Sequence, residues 1–271
     1  MTTPLLNTLH LKGSRARWAT ATLLVLATSS QAQEGPPLDA PMTGSSEVLL
    51  GVGVAHQARY LGSNLQHTRA LPVLSARWSN GWFAGTRGMG YQFRPSDTLS
   101  WGVRATFDLG RDASDADALK GMDDVPSRVE LGGFVSYRFL PALTLTSSLR
   151  AGSGKDRDGV LADLGLRSAI PITPSWRLMG SLTATAANRS AMQSLFGVSP
   201  QEASRAGYKA YAPEGGLRDI RFQVGLMTSI NPRTMVSLGL NSTSLLGNAS
   251  DSPLTRQKTS TGAFAMLMFK L

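Results

Sequence analysis

Two histidines and a serine are the first residues in this chain that chemistry could use. His56, His67 and Ser63 lie within twelve residues of one another. A histidine is the natural base for a serine nucleophile, so such a group could support acyl transfer. No G-x-S-x-G turn or other nucleophile motif accompanies it. The more economical reading is histidines at a strand end or in a loop. A second candidate is the acidic run Asp112, Asp115, Asp117, Asp123 and Asp124. Calcium takes several carboxylate oxygens, but this spacing does not match the EF-hand loop. A solvated external loop fits better, and such a loop could still bridge divalent cations with lipopolysaccharide. No metal site, cofactor or enzymatic function is expected. The third group is Arg104, Arg138, Arg150, Arg167 and Arg221 with Asp108, Glu130 and Asp163, which recur at alternate positions among apolar residues. Such a set forms ion pairs or lines an anion-favouring path, and pairing is the stronger expectation.

Alternation is what positions that third group. In Leu99 to Leu109 (LSWGVRATFDL), Leu99, Trp101, Val103, Ala105, Phe107 and Leu109 share one face. Ser100, Gly102, Arg104, Thr106 and Asp108 share the other. Side chains alternate across a strand, so the segment has one apolar and one polar face. The pattern recurs in Val48–Ala58, Ala70–Trp78, Val129–Phe139, Leu143–Ala151, Val160–Ile170, Trp176–Thr185, Ile220–Ile230, Thr234–Thr243 and Thr261–Leu271, and Trp82–Phe93 reads as a further strand with poor alternation. Pro72 lacks a backbone donor and belongs at a strand end, edge or bulge.

Short turns at 140–142, 171–175 and 231–233 alternate with long polar loops at 110–127, 152–158, 187–216 and 246–258. Tilted strands of roughly 9–11 residues span a bilayer, and outer-membrane barrels join them by short periplasmic turns and longer external loops. The fold expected is all-β, an antiparallel up-and-down transmembrane barrel. Eleven strands are visible and barrels of this kind take an even number. Twelve is therefore the expectation, with ten as the alternative and one strand hidden before residue 99.

Composition agrees. The 271 residues include no cysteine, and 17% are charged. No apolar run approaches 18 residues, which argues against membrane helices. Lys12, Arg15 and Arg17 precede the apolar Ala19–Ala27, and Ser30-Gln31-Ala32 offers small residues for cleavage. Residues 1–32 therefore read as a secretory leader. Residues 33–46 read as an irregular periplasmic lead-in, and 47–271 as the barrel. Removing the leader takes away three basic residues and no acidic ones, so the net charge of +9 falls to +6. That excess suits outer-membrane lipid and lipopolysaccharide headgroups. Nucleic acid is not an expected partner.

The loop between 187 and 216 is longer than a spanning barrel requires. Arg189 to Phe196 is weakly helical. Ser199-Pro200-Gln201-Glu202 is a helix start with Ser199 as N-cap and Glu202 in capping-box register, and the helix should stop near Gly207. Phe196, Ser199, Glu202, Arg205, Tyr208 and Tyr211 are the candidate interaction residues of this loop.

Several stretches together resemble the MipA/OmpV family, the MltA-interacting outer-membrane proteins. Ser194 to Tyr211 (SLFGVSPQEASRAGYKAY) is similar to that family's "yFGVsp-eSarSGl-aY" segment, and Leu245 to Leu254 (LLGNASDSPL) to its "LlGdaaDSPl" loop. Tyr60-Leu61-Gly62-Ser63 followed by Pro72, and Val160 to Gly165 (VLADLG), resemble its first hairpin and a mid-barrel strand. Asn248 and Leu271 stand where the family often has Asp and Phe. The resemblance implies a Gram-negative outer-membrane barrel. It also implies a scaffold role between a murein transglycosylase and a murein synthase, with porin-like and adhesive members alongside.

Overall fold

The computed structural model describes residues 46–271. The expected leader, and the lead-in up to its last residue, lie outside them. Twelve antiparallel strands close into one barrel in which each strand pairs with its sequence neighbours and the first pairs with the last. The strands are β1 (Glu47–Ala58), β2 (Gln66–Arg77), β3 (Trp82–Gly85), β4 (Gly88–Phe93), β5 (Leu99–Asp108), β6 (Arg128–Leu140), β7 (Leu143–Ser153), β8 (Gly159–Pro171), β9 (Trp176–Ala187), β10 (Gly216–Asn231), β11 (Thr234–Leu245) and β12 (Thr259–Lys270).

The hidden twelfth strand is in Trp82–Phe93, which was expected as one strand. It is two, β3 and β4, folded back on each other at Thr86-Arg87. Gly88 sits at φ +145°, a conformation that a side chain would oppose. The resulting hairpin is short. β2 pairs with β3 only at Ser75, Ala76 and Arg77, although it pairs with β1 at every position from Gln66 to Arg77. The loop-end half of β2 therefore has no strand on one side. Pro72 lies at the start of that unpaired stretch. Its carbonyl accepts from the Thr86 hydroxyl at 3.2 Å, and a strand residue's N and O point the same way. The missing N–H thus falls on the side that has no ladder to complete.

The apolar faces point outward. Val52, Val54, Val103, Leu131, Leu149, Leu164 and Leu240 are all more than half exposed or exactly at half. A soluble protein does not present a continuous apolar belt of this kind, and lipid contact accounts for it. At the end with the short turns, aromatic rings ring part of the outer wall. Trp82 meets Tyr91 edge-on with centroids 5.3 Å apart, Tyr91 meets Phe93 at 4.7 Å, and Phe93 stacks on Trp101 at 4.3 Å. Aromatic girdles of this sort sit at the membrane–water boundary.

At the opposite end the loops fold on themselves. Helix α1 (Arg189–Phe196) is N-capped by Asn188, and α2 (Pro200–Ala206) by Ser199 with the reciprocal Glu202 bond of a capping box. Gly207 stops α2 in the left-handed region at φ +72°. With the short α3 (Gly247–Ser250), these elements build two small apolar cores. One joins Met192 and Phe196 to Leu161, Leu245 and Ala249. The other joins Tyr60, Leu119, Met122, Val198 and Leu254. Together they form a lid over the barrel mouth.

An arginine placed on the belt tests the lipid-facing assignment. Val103→Arg should lower barrel stability by about 2–4 kcal/mol in denaturant unfolding from lipid vesicles, the usual cost of a cation near the bilayer midplane. Wild-type protein should also migrate differently on a denaturing gel before and after boiling.

Candidate functional site

The polar faces of the strands enclose a cavity of about 770 Å³. All eight arginines and carboxylates singled out from alternation line it: Arg104, Asp108, Glu130, Arg138, Arg150, Asp163, Arg167 and Arg221. Five of them are drawn into one network, because register sets their strands side by side. Thr106 pairs with Glu130, Ser148 with Asp163, Asp163 with Thr185, and Thr185 with Asp219.

Arg150 is the centre of this network. Its Nη1 donates to Glu130 Oε2 at 2.6 Å, and its Nη2 and Nε donate to Asp163 Oδ2 at 3.0 and 3.2 Å. The hydroxyls of Ser148 and Thr185 each donate to Asp163 at 2.8 Å. Arg104 donates to the Ser148 hydroxyl at 2.9 Å. Arg221 donates to Thr185 at 2.7 Å and lies 3.5 Å from Asp163. Glu130 is 2% exposed. A buried carboxylate needs a paired charge, and Arg150 and the Thr106 hydroxyl both donate to Glu130 Oε2.

Arg218 and Asp219 extend the network and were not visible in the sequence. Arg218 Nε donates to Asp219 Oδ2 at 2.6 Å, and Arg221 Nε lies 3.1 Å from Asp219 Oδ1. A strand beginning at Ile220 was expected. The strand instead begins at Gly216 and carries a bulge between Leu217 and Asp219. A bulge breaks the two-residue period, so two successive charged residues are both buried. The remaining predicted lumen residues stand apart from this network. Asp108 accepts from the Gly110 amide at 3.0 Å, while Arg138 and Arg167 lie on the wall toward the short turns.

The loop residues expected as an interaction surface make contacts within the lid. Phe196 is fully buried in a lid core. Glu202 accepts from the Ser199 and Asp123 amides at 2.8 and 3.0 Å. Arg205 donates to Asp123 at 2.6 Å, Tyr208 to the Ala118 carbonyl at 3.0 Å, and Tyr211 to the Asn248 carbonyl at 2.8 Å. The acidic run works locally too. Asp112 caps a 3-10 turn at Ala113–Asp115, and Asp124 accepts from the Ala113 amide. Among the described residues no three His, Asp or Glu are grouped to hold a metal ion. The histidines are separated. His56 is exposed on the outer wall and bonds Thr68 and Gln66, whereas His67 faces inward. Ser63 bonds Leu65, and neither histidine bonds Ser63.

Burial raises the Glu202 pKa, but the Asp123 and Ser199 amides and the Ser199 hydroxyl outweigh it, so the net shift is downward. Lys155 and Arg205 lower the pKa of Asp123. Both groups are more acidic in the folded lid. Their contribution is full above the ordinary carboxylate range and is lost as pH falls through it. Amide exchange across 189–211 should therefore accelerate below about pH 4, and Glu202→Gln should flatten that pH dependence. In the lumen, Arg150→Met leaves the buried Glu130 without its cation and Asp163 with only Arg221, and should destabilise the barrel by about 3–5 kcal/mol. The triple change of Arg150→Met, Glu130→Gln and Asp163→Asn should recover part of that loss in the same unfolding assay.

Among solved structures, a NanC porin shares 13% identity, with 82% of this chain and 100% of that chain covered and a TM-score of 0.47. An outer-membrane channel from Pseudomonas putida F1 shares 11% identity over 89% of this chain and 100% of its own, with a TM-score of 0.44. No curated protein matches the chain. The sequence profile of MltA-interacting protein MipA matches residues 50–271, nearly all of the barrel, and the chain therefore belongs to the MipA family.

Proposed function

We propose that this protein is a closed, non-enzymatic barrel of the outer membrane that serves as an interaction partner for a murein transglycosylase. The observation that carries this reading is the lid. Ala191, Leu195, Tyr60 and Leu61 sit at the loop end of the lumen, and each belongs to or packs with a lid core. Arg111 ties the lid down by donating to the Leu195 carbonyl at 2.6 Å. The loop end is thus occupied by packing within the chain. The surface left for a partner is the turn end, at 78–81, 94–98, 141–142, 172–175 and 232–233. With short turns on the periplasmic side, that surface faces murein. The name of the family, MltA-interacting, supports the same partner class.

A second reading has its own observation. Ten arginines and four carboxylates line the lumen. This excess of positive charge favours anions, so a barrel whose lid opens would be an anion-selective pore.

In-cell cross-linking of tagged protein should recover a murein transglycosylase above the level of an unrelated barrel. Recovery of only lipopolysaccharide and assembly factors would overturn the scaffold reading. In planar bilayers the intact protein should stay silent. Deletion of 189–211 should produce anion-favouring conductance steps if the second reading holds.

A further inference from the structure

The lumen has two unlike walls. In the turn-end half, the inward positions of β10, β11 and β12 include Met227, Met235, Met266 and Met268, with Gly225 and Ser237 among them. Register packs them closely. Met235 stands opposite Met268, and Ser237 stands between Met227 and Met266. Directly opposed residues have Cβ atoms about 4.5–5.5 Å apart, so the four side chains form one patch. The Met266 Cγ fills the space over Gly53 of β1, where an added Cβ would come within 3.0 Å of it. One row toward the lid, the Phe264 ring lies flat against Gly239, where an added Cβ would approach its Cζ to 2.4 Å. The patch is therefore continuous, sulfur-rich and floored by glycine.

The facing wall is basic. In the closed order, β11 and β5 are six strands apart in either direction. The methionine patch therefore looks across the lumen at β5 and its neighbours. That wall carries Arg104 on β5 and Arg138 on β6, and Arg167 on β8 flanks it, three strands from both β5 and β11; all three line the same cavity.

A lumen serving only small ions has no use for an apolar wall, since wet apolar surface is unfavourable. A lumen serving only as packed core has no use for arginines on the other side. The combination suits a molecule that is itself two-sided. Methionine side chains are flexible and polarizable and adapt to varied apolar shapes, while guanidinium groups engage carboxylate, sulfonate or phosphate oxygens. The cavity of about 770 Å³ falls in the range of pockets that enclose small organic ligands. We infer that the barrel lumen is a binding site for amphipathic anions, with the apolar body of the ligand on the Met227–Met235–Met266–Met268 wall and its anionic head on the Arg104–Arg138–Arg167 wall. The excess of arginine over carboxylate sets the sign of the head. This site is independent of any murein partner and of whether the lid opens to conduct.

The methionine methyl groups report on the site directly. Protein carrying carbon-13 methyl-labelled methionine, refolded into lipid nanodiscs, would be titrated with naphthalene-2-sulfonate and separately with the neutral naphthalene-2-methanol. Single Met→Leu variants assign the signals. The sulfonate should shift the signals of Met227, Met235, Met266 and Met268 saturably. Met122 and Met192 in the lid and Met89 on the lipid face should stay in place. Arg138→Gln and Arg167→Gln should each raise the half-saturating concentration severalfold, and together at least tenfold. Each variant would be checked for heat-modifiable migration, and Arg104 is left intact because it bonds the buried network. Equal response to the neutral probe would overturn the proposal in favour of a plain apolar patch. Reproduction of the shifts by sodium sulfate would overturn it in favour of a general anion site. Parallel movement of Met89 would mean partition into lipid, and silence of the four lumen signals would mean no site. Each of these results also refutes the proposal.

Discussion

A peptide group in hydrocarbon has no water to bond, so every N–H and C=O inside the membrane must find a partner within the protein. The rest of this structure depends on that constraint. It requires the sheet to close, which brings β1 beside β12 with Leu49 opposite Lys270 and His56 opposite Ala263. Closure fixes register, and register fixes which residues face inward together. The Glu130–Arg150–Asp163–Arg221 network follows from strand pairing in that way. None of its members is near another in sequence, and none would sit beside another if one strand slipped by a residue.

The inward charges use the freedom that closure leaves. On the loop-end side they are matched donor to acceptor, and the network stiffens the wall across β5 to β10. Toward the turn end, Arg138 and Arg167 share the lumen with the methionine wall. The lid adds a separate layer of order. Its two apolar cores are assembled from segments far apart in the chain, so the loops pack like a small domain seated on the barrel.

Much of this was legible in the sequence because barrel strands declare themselves by a period of two. Leu99–Asp108 and Arg128–Leu140 alternate cleanly, and their inward residues were readable one by one. The capping box at Ser199 and Glu202 was equally plain, since it depends on four consecutive residues. What escaped reading depended on broken periodicity or on distance. The β3–β4 hairpin was hidden because Gly85, Gly88 and Gly90 leave no alternation to follow. Arg218 and Asp219 were hidden by the bulge. The methionine wall was hidden because Met227, Met235 and Met266 look like ordinary apolar residues until register shows that they point inward. The contacts of Phe196, Tyr208 and Tyr211 within the lid join segments far apart in the chain and could not be read from sequence.

The short β3–β4 hairpin has a mechanical meaning. Elsewhere around the barrel, adjacent strands are joined along most of their length, but β2 and β3 share only three paired positions. An exposed strand edge invites unwanted pairing, and here proline at 72 and the loop 109–127 guard it. Arg59 donates to the Asp115 carbonyl at 3.0 Å, and Arg69 lies 3.9 Å from the Asp115 carboxylate, so that loop is pinned beside the gap. A closed cylinder parts first where its seam is thinnest. The barrel therefore has a built-in line of weakness between β2 and β3 at its loop end, and the Asp115 contacts act as the stitch that holds it.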